Sequence, residues 1–241
     1  MNLCQAHNRS VKIAAAAQNP LALLCHFDGS LDDASGNHCS YVLNNGNPSE
    51  AHFSYTTASK FGSHALTATI PSPSADTASR CTYTLPAADF SKAWTVDWWW
   101  KPTSGASAQV RLTDMLGLQI NTVSKSVAVF QFTPGTSSPT STWSVDYRQN
   151  AILSALNVNS FSHWAITRDE QNTVRCFFGG QCFHSFEYST PDRQVPSAFV
   201  WLYTALTTVS VVDEFRVLPG VCAWDSDFTP PTAAYSGFES F

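Results

Sequence analysis

The sequence predicts an all-β chain: two packed antiparallel sheets forming a sandwich, preceded by an N-terminal arm. Three observations carry this expectation. Thr and the aromatic residues are plentiful while Lys and Glu are scarce, a balance that favours strands over helices. About a dozen short apolar or alternating runs follow one another, separated by Gly, Pro, Asn and Ser turn signals. There is no fixed-period repeat and no long amphipathic helix. The 241 residues are enough for one sandwich domain with a sizeable core.

Residues 1 to 20 read as an arm, because Val11 to Gln18 spans two helical turns at most and Asn19-Pro20 ends them. The domain is expected over residues 21 to 241. Leu21 to Phe27 is the first strand-like run, followed by a turn-rich stretch from Asp28 to Asn37. Tyr41 to Leu43 resumes a strand, Asn44 to Asn47 turns it, and a strand entered through Phe61 to Leu66 ends near Ile70. The prolines of residues 71–79 predict a loop, and Cys81 to Leu85 a further strand. Trp94 to Lys101 is the clearest strand. Trp94, Val96, Trp98 and Trp100 share one face, and Thr95, Asp97, Trp99 and Lys101 the other.

Gln109 to Leu112, Leu116 to Ile120 and Val127 to Phe132 follow, then a Pro/Gly/Ser loop from Thr133 to Thr140 and a strand from Trp143 to Tyr147. His163 to Arg168, Thr173 to Phe178, Gln181 to Phe186, Phe199 to Thr204 and Val211 to Leu218 complete the set. Trp164 and Ile166 fall on one face, expected to be the core. Gly179-Gly180 suits a two-residue hairpin turn with positive φ at both positions. The tail from Cys222 to Phe241, rich in Pro, Thr and Ser, is expected to run along the sandwich edge without adding a strand.

Composition excludes several function classes. Charged residues are only 13% of the chain, and Ser plus Thr number 53 against 31 charged residues, so hydroxyls must cover much of the surface. The net charge is −5 and no Lys/Arg cluster exists, which argues against a nucleic-acid partner. No apolar run approaches a membrane span. The apolar run Ile13 to Ala17 is too short for a signal peptide, so synthesis in a cytoplasm without export by the general secretory route is expected.

The seven cysteines, Cys4, Cys25, Cys39, Cys81, Cys176, Cys182 and Cys222, match no zinc spacing and read as reduced, mostly buried thiols. Across the Gly179-Gly180 turn, Cys176 would face Phe183 and Phe177 would face Cys182. Cys176 and Cys182 then point to opposite sheet faces and do not bridge.

Several segments together resemble one family. Leu23-Leu24-Cys25-His26-Phe27-Asp28-Gly29 with Asp33-Ala34-Ser35-Gly36-Asn37 looks like the opening of the concanavalin A-like, laminin-G-like jelly rolls. Phe61-Gly62-Ser63-His64-Ala65-Leu66 and Trp94-Thr95-Val96-Asp97-Trp98-Trp99-Trp100-Lys101-Pro102 resemble later steps of it. So do His163-Trp164-Ala165-Ile166-Thr167-Arg168, with the hairpin that follows, and Val212-Asp213-Glu214-Phe215-Arg216-Val217. The ending Asp227-Phe228-Thr229-Pro230-Pro231-Thr232-Ala233-Ala234-Tyr235 resembles the bacteriophage and prophage versions of the domain. Gly179 at the usual turn Asp, and Cys25 and Cys182 at usually aliphatic positions, depart from the pattern.

Fold does not give function here, since lectins, glycanases and structural modules share such sandwiches. Glycoside hydrolysis needs two converging carboxyl groups. The E-x-D-x-(x)-E strand of the glucanase branch is absent, and Asp213-Glu214, adjacent on a strand, is expected to face opposite sides. No nucleophile elbow or phosphate loop occurs, so no catalytic residues are assigned. The resemblance implies a candidate structural Ca²⁺, for which Asp28, Asp32, Asp33, Asn37 and Asp213 supply hard oxygens, although Asx-turn capping explains the loop residues equally well.

No other cofactor is required. Trp99, Trp143, Tyr147, Trp201 and Tyr203 are the candidates for stacking on sugar rings, with core packing as the competing role. Arg168, Arg175 and Arg216 are expected near strand ends, pairing with carboxylates such as Asp169 or Glu214.

The expectation is therefore a phage virion-associated structural or adhesin protein, a capsid or tail decoration. It would contact other virion proteins through the arm, bind host-surface glycans and repeat as a homo-oligomer. A free bacterial lectin-like protein and a glycan hydrolase are the alternatives.

Overall fold

The computed structural model describes residues 21–43, 52–68, 78–86, 90–103, 105–112, 115–132, 139–188, 197–204 and 210–236. The arm at residues 1–20, the turn at 44–47 and the loop at 71–77 lie outside them. The architecture is the expected all-β sandwich of two antiparallel sheets.

Sheet I contains β1 (Leu23–Cys25), β3 (Phe53–Thr56), β4 (Ala65–Ala68) and β6 (Trp94–Lys101), with β11 (Ser162–Arg168), β12 (Thr173–Phe178), β13 (Gln181–Glu187) and β15 (Val211–Pro219). Its order is β13-β12-β11-β6-β15-β4-β3, and β1 pairs with β15 beside β4. Sheet II contains β2 (Tyr41–Leu43), β5 (Ala78–Thr84), β7 (Ala106–Leu112) and β8 (Leu116–Asn121), with β9 (Ser126–Phe132), β10 (Pro139–Asp146) and β14 (Ser197–Thr204), in the order β10-β9-β8-β7-β14-β5-β2. The only helical element among the described residues is a 3₁₀ turn at Leu153–Ala155.

One core lies between the sheets. The inner face of β6 contributes Trp94, Val96, Trp98 and Trp100, as its alternation predicts. Trp164 and Ile166 join them from β11, facing Val110, Leu118, Val129 and Leu202 of sheet II. Trp100 meets Trp98 at 5.9 Å and Trp164 at 6.0 Å between ring centroids, in tilted and edge-on arrangements that suit aromatic quadrupoles.

Several boundaries differ from the sequence expectation. β3 was not anticipated, because the run Phe-Ser-Tyr-Thr is short and half polar; pairing with β4 makes it a strand. β5 begins at Ala78 and β10 at Pro139, inside stretches read as loops, because neighbouring strands supply ladder partners that local composition does not show.

Gly179 and Gly180 have φ of +58° and +83°, as the turn requires. A bulge between Cys176 and Phe177 changes the hairpin register. Phe177 still pairs with Cys182, but Cys176 pairs with His184 and not with Phe183, which becomes the extra residue. Cys176 and Cys182 are both free, as are Cys25, Cys39, Cys81 and Cys222.

The tail adds no strand through residue 236, but it lies over the outer face of sheet I and not along an edge. Thr95 and Thr167 donate their hydroxyls to the carbonyls of Val221 and Trp224. The N–H of Phe228 donates to the carbonyl of Gly180, and that of Cys182 to Asp227. A Cβ at Gly180 would stand 2.0 Å from the Phe228 carbonyl oxygen, so the second turn glycine is also what lets the tail approach. Trp224 and Phe228 stack at 3.9 Å and cover His163 edge-on.

Candidate functional site

The two outer faces of the sheets carry contrasting sets of polar residues. On sheet I, the side of β6 that carries Thr95, Asp97 and Trp99 is sealed. Asp97 and Arg216 are both fully buried and joined by two hydrogen bonds, Nε to Oδ1 at 3.0 Å and Nη2 to Oδ2 at 2.9 Å. His163 Nε2 lies 3.2 Å from Asp97 Oδ2 and 3.0 Å from the Tyr235 hydroxyl. The Arg216 guanidinium also sits 4.0 Å from the Tyr235 ring centre.

Burial works to raise the Asp97 carboxyl, but the Arg216 charge and the hydrogen bonds from His163 and Arg216 outweigh it and hold it below the usual range. Arg216 is thus mid-sheet and paired with Asp97, not at a strand end beside Glu214. The expected pairing does hold for Arg175, whose Nη1 lies 2.6 Å from Asp169. Arg168 donates to the carbonyls of Phe90, Ser91 and Lys92 and to Asn172.

A second bulge, between Asp213 and Arg216, overturns the expectation that Asp213 and Glu214 face opposite sides. Asp213 pairs opposite Trp99 and Arg216 opposite Asp97, both on the outer face, while Phe215 enters the core. Glu214 is the extra residue, with φ +53°. Its carboxylate accepts from His26 Nδ1 at 2.9 Å and from the N–H of Tyr235 at 2.8 Å, contacts that hold an otherwise unfavourable backbone. The hydrogen bond to Glu214 raises the His26 pKa against the opposing effect of burial. Asp213 Oδ2 accepts from the N–H groups of Lys60 (2.7 Å) and Phe61 (3.1 Å), and Oδ1 from that of Glu214 (3.0 Å). Burial nevertheless pushes its carboxyl up to about 7.

The candidate calcium ligands are engaged in the same way. Asp33 accepts the N–H groups of Leu24, Ser35 and Cys39 and the Ser35 hydroxyl. Asp28 Oδ1 accepts the N–H groups of Ser63 (2.6 Å) and His64 (2.8 Å). That contact needs Gly62, with φ +61°, because a Cβ there would lie 2.2 Å from the Asp28 carboxylate. Asn37 turns its amide nitrogen, a donor, toward the carbonyls of Leu21 and Ala22. Asp32 is partly placed by its N–H, which donates to the Ser30 hydroxyl.

These residues staple the first loop to its neighbours. The carboxylate oxygens of Asp28, Asp33 and Asp213 accept backbone amides, Asn37 presents its amide nitrogen, and among the described residues no three His, Cys, Asp or Glu side chains group as metal ligands. The set does not fit a bound Ca²⁺.

Of the sugar-stacking candidates, Trp99 is 6% exposed, beneath the Lys60 ammonium (4.2 Å) and edge-on to Phe61. Trp143 packs on the core with His184 stacked on it at 4.1 Å, a pairing made by the bulge in β13, and Tyr147 is buried. The side chains of Trp201 and Tyr203 lie outside the described residues. The backbone register sets Trp201 opposite Arg80 on β5 and Gln109 on β7. Among the described side chains, Trp99 lies on sheet I while Trp143 lies on sheet II, so these two do not form one site.

The outer face of sheet II has a different chemistry. Ala108, Val110 and Leu112 point to the core, so Ser107, Gln109 and Arg111 lie on the outer face of β7. Gln119 Nε2 donates to the Ser107 hydroxyl at 2.9 Å. Arg111 lies across Gly117, opposite which it pairs, and sets its guanidinium 3.5 Å from the Phe132 ring centre. Phe130 lies beside Phe132 on β9, and Arg80 and Thr82 are half-buried on β5. Planar guanidinium, amide, hydroxyl and aromatic groups on one sheet face are the groups that hold sugars by hydrogen bonding and ring stacking.

Comparison with known proteins shows the fold. The chain is similar to the botulinum neurotoxin serotype D ligand-binding domain solved in complex with N-acetylneuraminic acid. The TM-score is 0.57 at 10% identity, covering 88% of this chain and 48% of that one. It is also similar to the botulinum neurotoxin type G receptor-binding domain, with TM-score 0.54 at 10% identity over 86% and 48% of the two chains. This chain therefore spans about half the length of those domains. No protein-family model and no curated protein matches it.

Arg80, Gln109, Arg111 and Gln119 did not enter the sequence reading. The usable signal was the charge pattern: no strand from β7 to β9 carries an acid, and Arg111 is their only charge.

Proposed function

We propose that this protein is a glycan-binding attachment module that works through the outer face of sheet II and carries out no reaction. The observation that supports it best is the Arg111 guanidinium set 3.5 Å from the Phe132 ring centre on the same face as the Gln119–Ser107 pair, a face otherwise made of small polar and aromatic groups. The neurotoxin domain of similar fold, solved with N-acetylneuraminic acid, is consistent with a sugar ligand for such a sandwich. The paired acids Asp213 and Glu214 do not favour hydrolysis. They are 0% and 1% exposed, and their oxygens already accept N–H donors from the backbone and from His26.

The carrier we propose is a bacteriophage or prophage virion, in its capsid or tail, reached through residues 1 to 20, with copies repeated by particle symmetry. That part rests on the resemblance of residues 21 to 235 to the virion type of jelly roll. Purified protein on a glycan array should bind a defined set of sugars, and Gln119→Ala should weaken binding about tenfold while the melting temperature holds. Deleting residues 1 to 20 should abolish particle association and leave the fold intact. Sugar binding unchanged by Gln119→Ala would move the site elsewhere.

A further inference from the structure

Independently of the sheet II face, we infer that the mouth of the sandwich between β2 and β3 binds an organic cation, a methylated ammonium group held between the Tyr41 and Tyr55 rings beside Asp32. Four large hydrophobic side chains are exposed among the described residues, and three of them, Tyr41, Val42 and Tyr55, lie here. β2 is the edge of sheet II and β3 the edge of sheet I. Tyr41 pairs opposite Tyr83 and Tyr55 opposite Leu66, and both of those partners are fully buried in the core. The two exposed rings therefore belong to the inner faces of the two sheets and line the mouth from opposite sides. Packed sheets stand about 10 Å apart, so a cation midway lies about 5 Å from each ring, within the roughly 6 Å reach of a cation–π contact.

The loop before β2 brings the acid. Tyr83, whose ring centre lies 5.9 Å from that of Tyr41, donates its hydroxyl to the carbonyl of Leu31 at 2.9 Å, which fixes the exposed Asp32 at the same end. Asp28 and Asp33 use their carboxylates to hold backbone amides. The Asp32 carboxylate makes no hydrogen bond or ion pair among the described residues. Burial raises the pKa of both phenols. The Asp32 charge adds to it at Tyr41, and Tyr41 and Asp32 add to it at Tyr55, so the three groups share one neighbourhood.

The surrounding charge has the matching sign. Residues 21–79, which supply both tyrosine strands and every segment linking them, contain five acids, one Lys and no Arg. That Lys60 sets its ammonium 4.2 Å from the Trp99 ring centre, on the outer face of sheet I. Arg80, which follows on β5, lies on the outer face of sheet II, because its neighbour Cys81 faces the core. A methylated ammonium offers a charge to Asp32 and apolar methyl groups to the two rings, whereas a neutral sugar leaves the carboxylate charge unmatched.

Titration calorimetry of the full chain with choline, and with neohexanol, the neutral isostere in which carbon replaces the nitrogen, tests the inference. Choline should bind at least tenfold more tightly than neohexanol. Asp32→Asn and Tyr55→Ala should each weaken choline about tenfold. Tyr55→Phe should bind as the unaltered protein does, since the ring and not the hydroxyl makes the contact, and Gln119→Ala should leave choline binding unchanged. Phosphocholine run beside choline tells a phosphorylated headgroup from a bare ammonium alcohol. Equal binding of neohexanol, choline binding that neither Asp32→Asn nor Tyr55→Ala changes, or no binding of choline each overturns the inference. The glycan-binding reading, tested with sugars, stands or falls separately. If Tyr55→Ala fails to fold, nitration of the unaltered protein with tetranitromethane decides. Choline should slow modification of Tyr41 and Tyr55, and equal rates with and without it overturn the inference.

Discussion

On the outer face of sheet I, Asp97, Arg216, His163 and Glu214 are buried under the tail, and their charges are satisfied within the protein. On the outer face of sheet II, Arg80 and Arg111 are half-buried, and Arg111 sets its guanidinium 3.5 Å from the Phe132 ring centre. Both faces are polar, but polarity does different work in the two places. Beneath the tail, the ionic network fixes where Val221 to Tyr235 must lie. Across sheet II, the few polar groups hold one another in position, as Gln119 does the buried Ser107 hydroxyl.

The sharpest way to break this contrast is to remove one charge from each face. Asp97→Ala should cost about 3–5 kcal/mol, because it leaves the Arg216 guanidinium buried without its carboxylate. Urea unfolding measures it, and a loss no larger than that of Arg111→Gln would erase the distinction. Gly180→Ala comes next, at roughly 1–3 kcal/mol. It adds a Cβ 2.0 Å from the Phe228 carbonyl at a positive φ, so the tail must lift or the turn must strain. Proteolysis of the tail in the folded variant should separate these two outcomes.

The acids under the tail also give sheet I a pH signature. Asp213 titrates near 7 when folded, against an ordinary value of 3.8, so the folded state keeps its proton longer than the unfolded chain. Its contribution to stability is full below about pH 4, declines as pH rises to 7 and is flat above. Asp97, held below its ordinary value, acts in the other sense: its stabilisation is present above pH 3.8 and is lost as pH falls further. His26, raised by Glu214, loses its contribution only as pH rises above 6.5.

Asp213→Asn should therefore flatten the dependence of melting temperature on pH between 4 and 7, whatever it does to the absolute value. An unchanged slope would contradict this assignment. The smallest effect belongs to sheet II, where Arg111→Gln should shift stability by about 1 kcal/mol or less in thermal melts.

The contrast also shows what a local pattern conveys. The period-2 alternation of β6 puts Trp94, Val96, Trp98 and Trp100 on one face, and that face is the core. The same alternation puts Asp97 and Trp99 on the other face but does not show what covers it. Asp97 is buried because the tail, more than 120 residues away, folds over it, and Trp99 because Lys60 and Phe61 join Tyr235 around it; the strand itself carries no trace of either. The bulges at Phe183 and at Glu214 each shift side chains to a different face. Neither site holds the glycine that would mark it, and Glu214 takes a positive φ without one.

Asp28 and Asp33 were legible as turn residues, and the structure gives them that part, as acceptors for backbone amides. The candidate sugar site went unread because its residues are spread over β5, β7, β8 and β9. Only the sheet order of β5, β14 and β7 makes Arg80, Gln109 and Arg111 neighbours.

Glycan binding by variants of the two faces, compared at equal folded fraction, tests the central claim most directly. Arg111→Gln on sheet II should lose binding about tenfold while Trp224→Ala in the tail over sheet I binds as the unaltered protein does. Loss of binding in Trp224→Ala with Arg111→Gln unaffected would place the ligand on the other side of the sandwich and contradict the account.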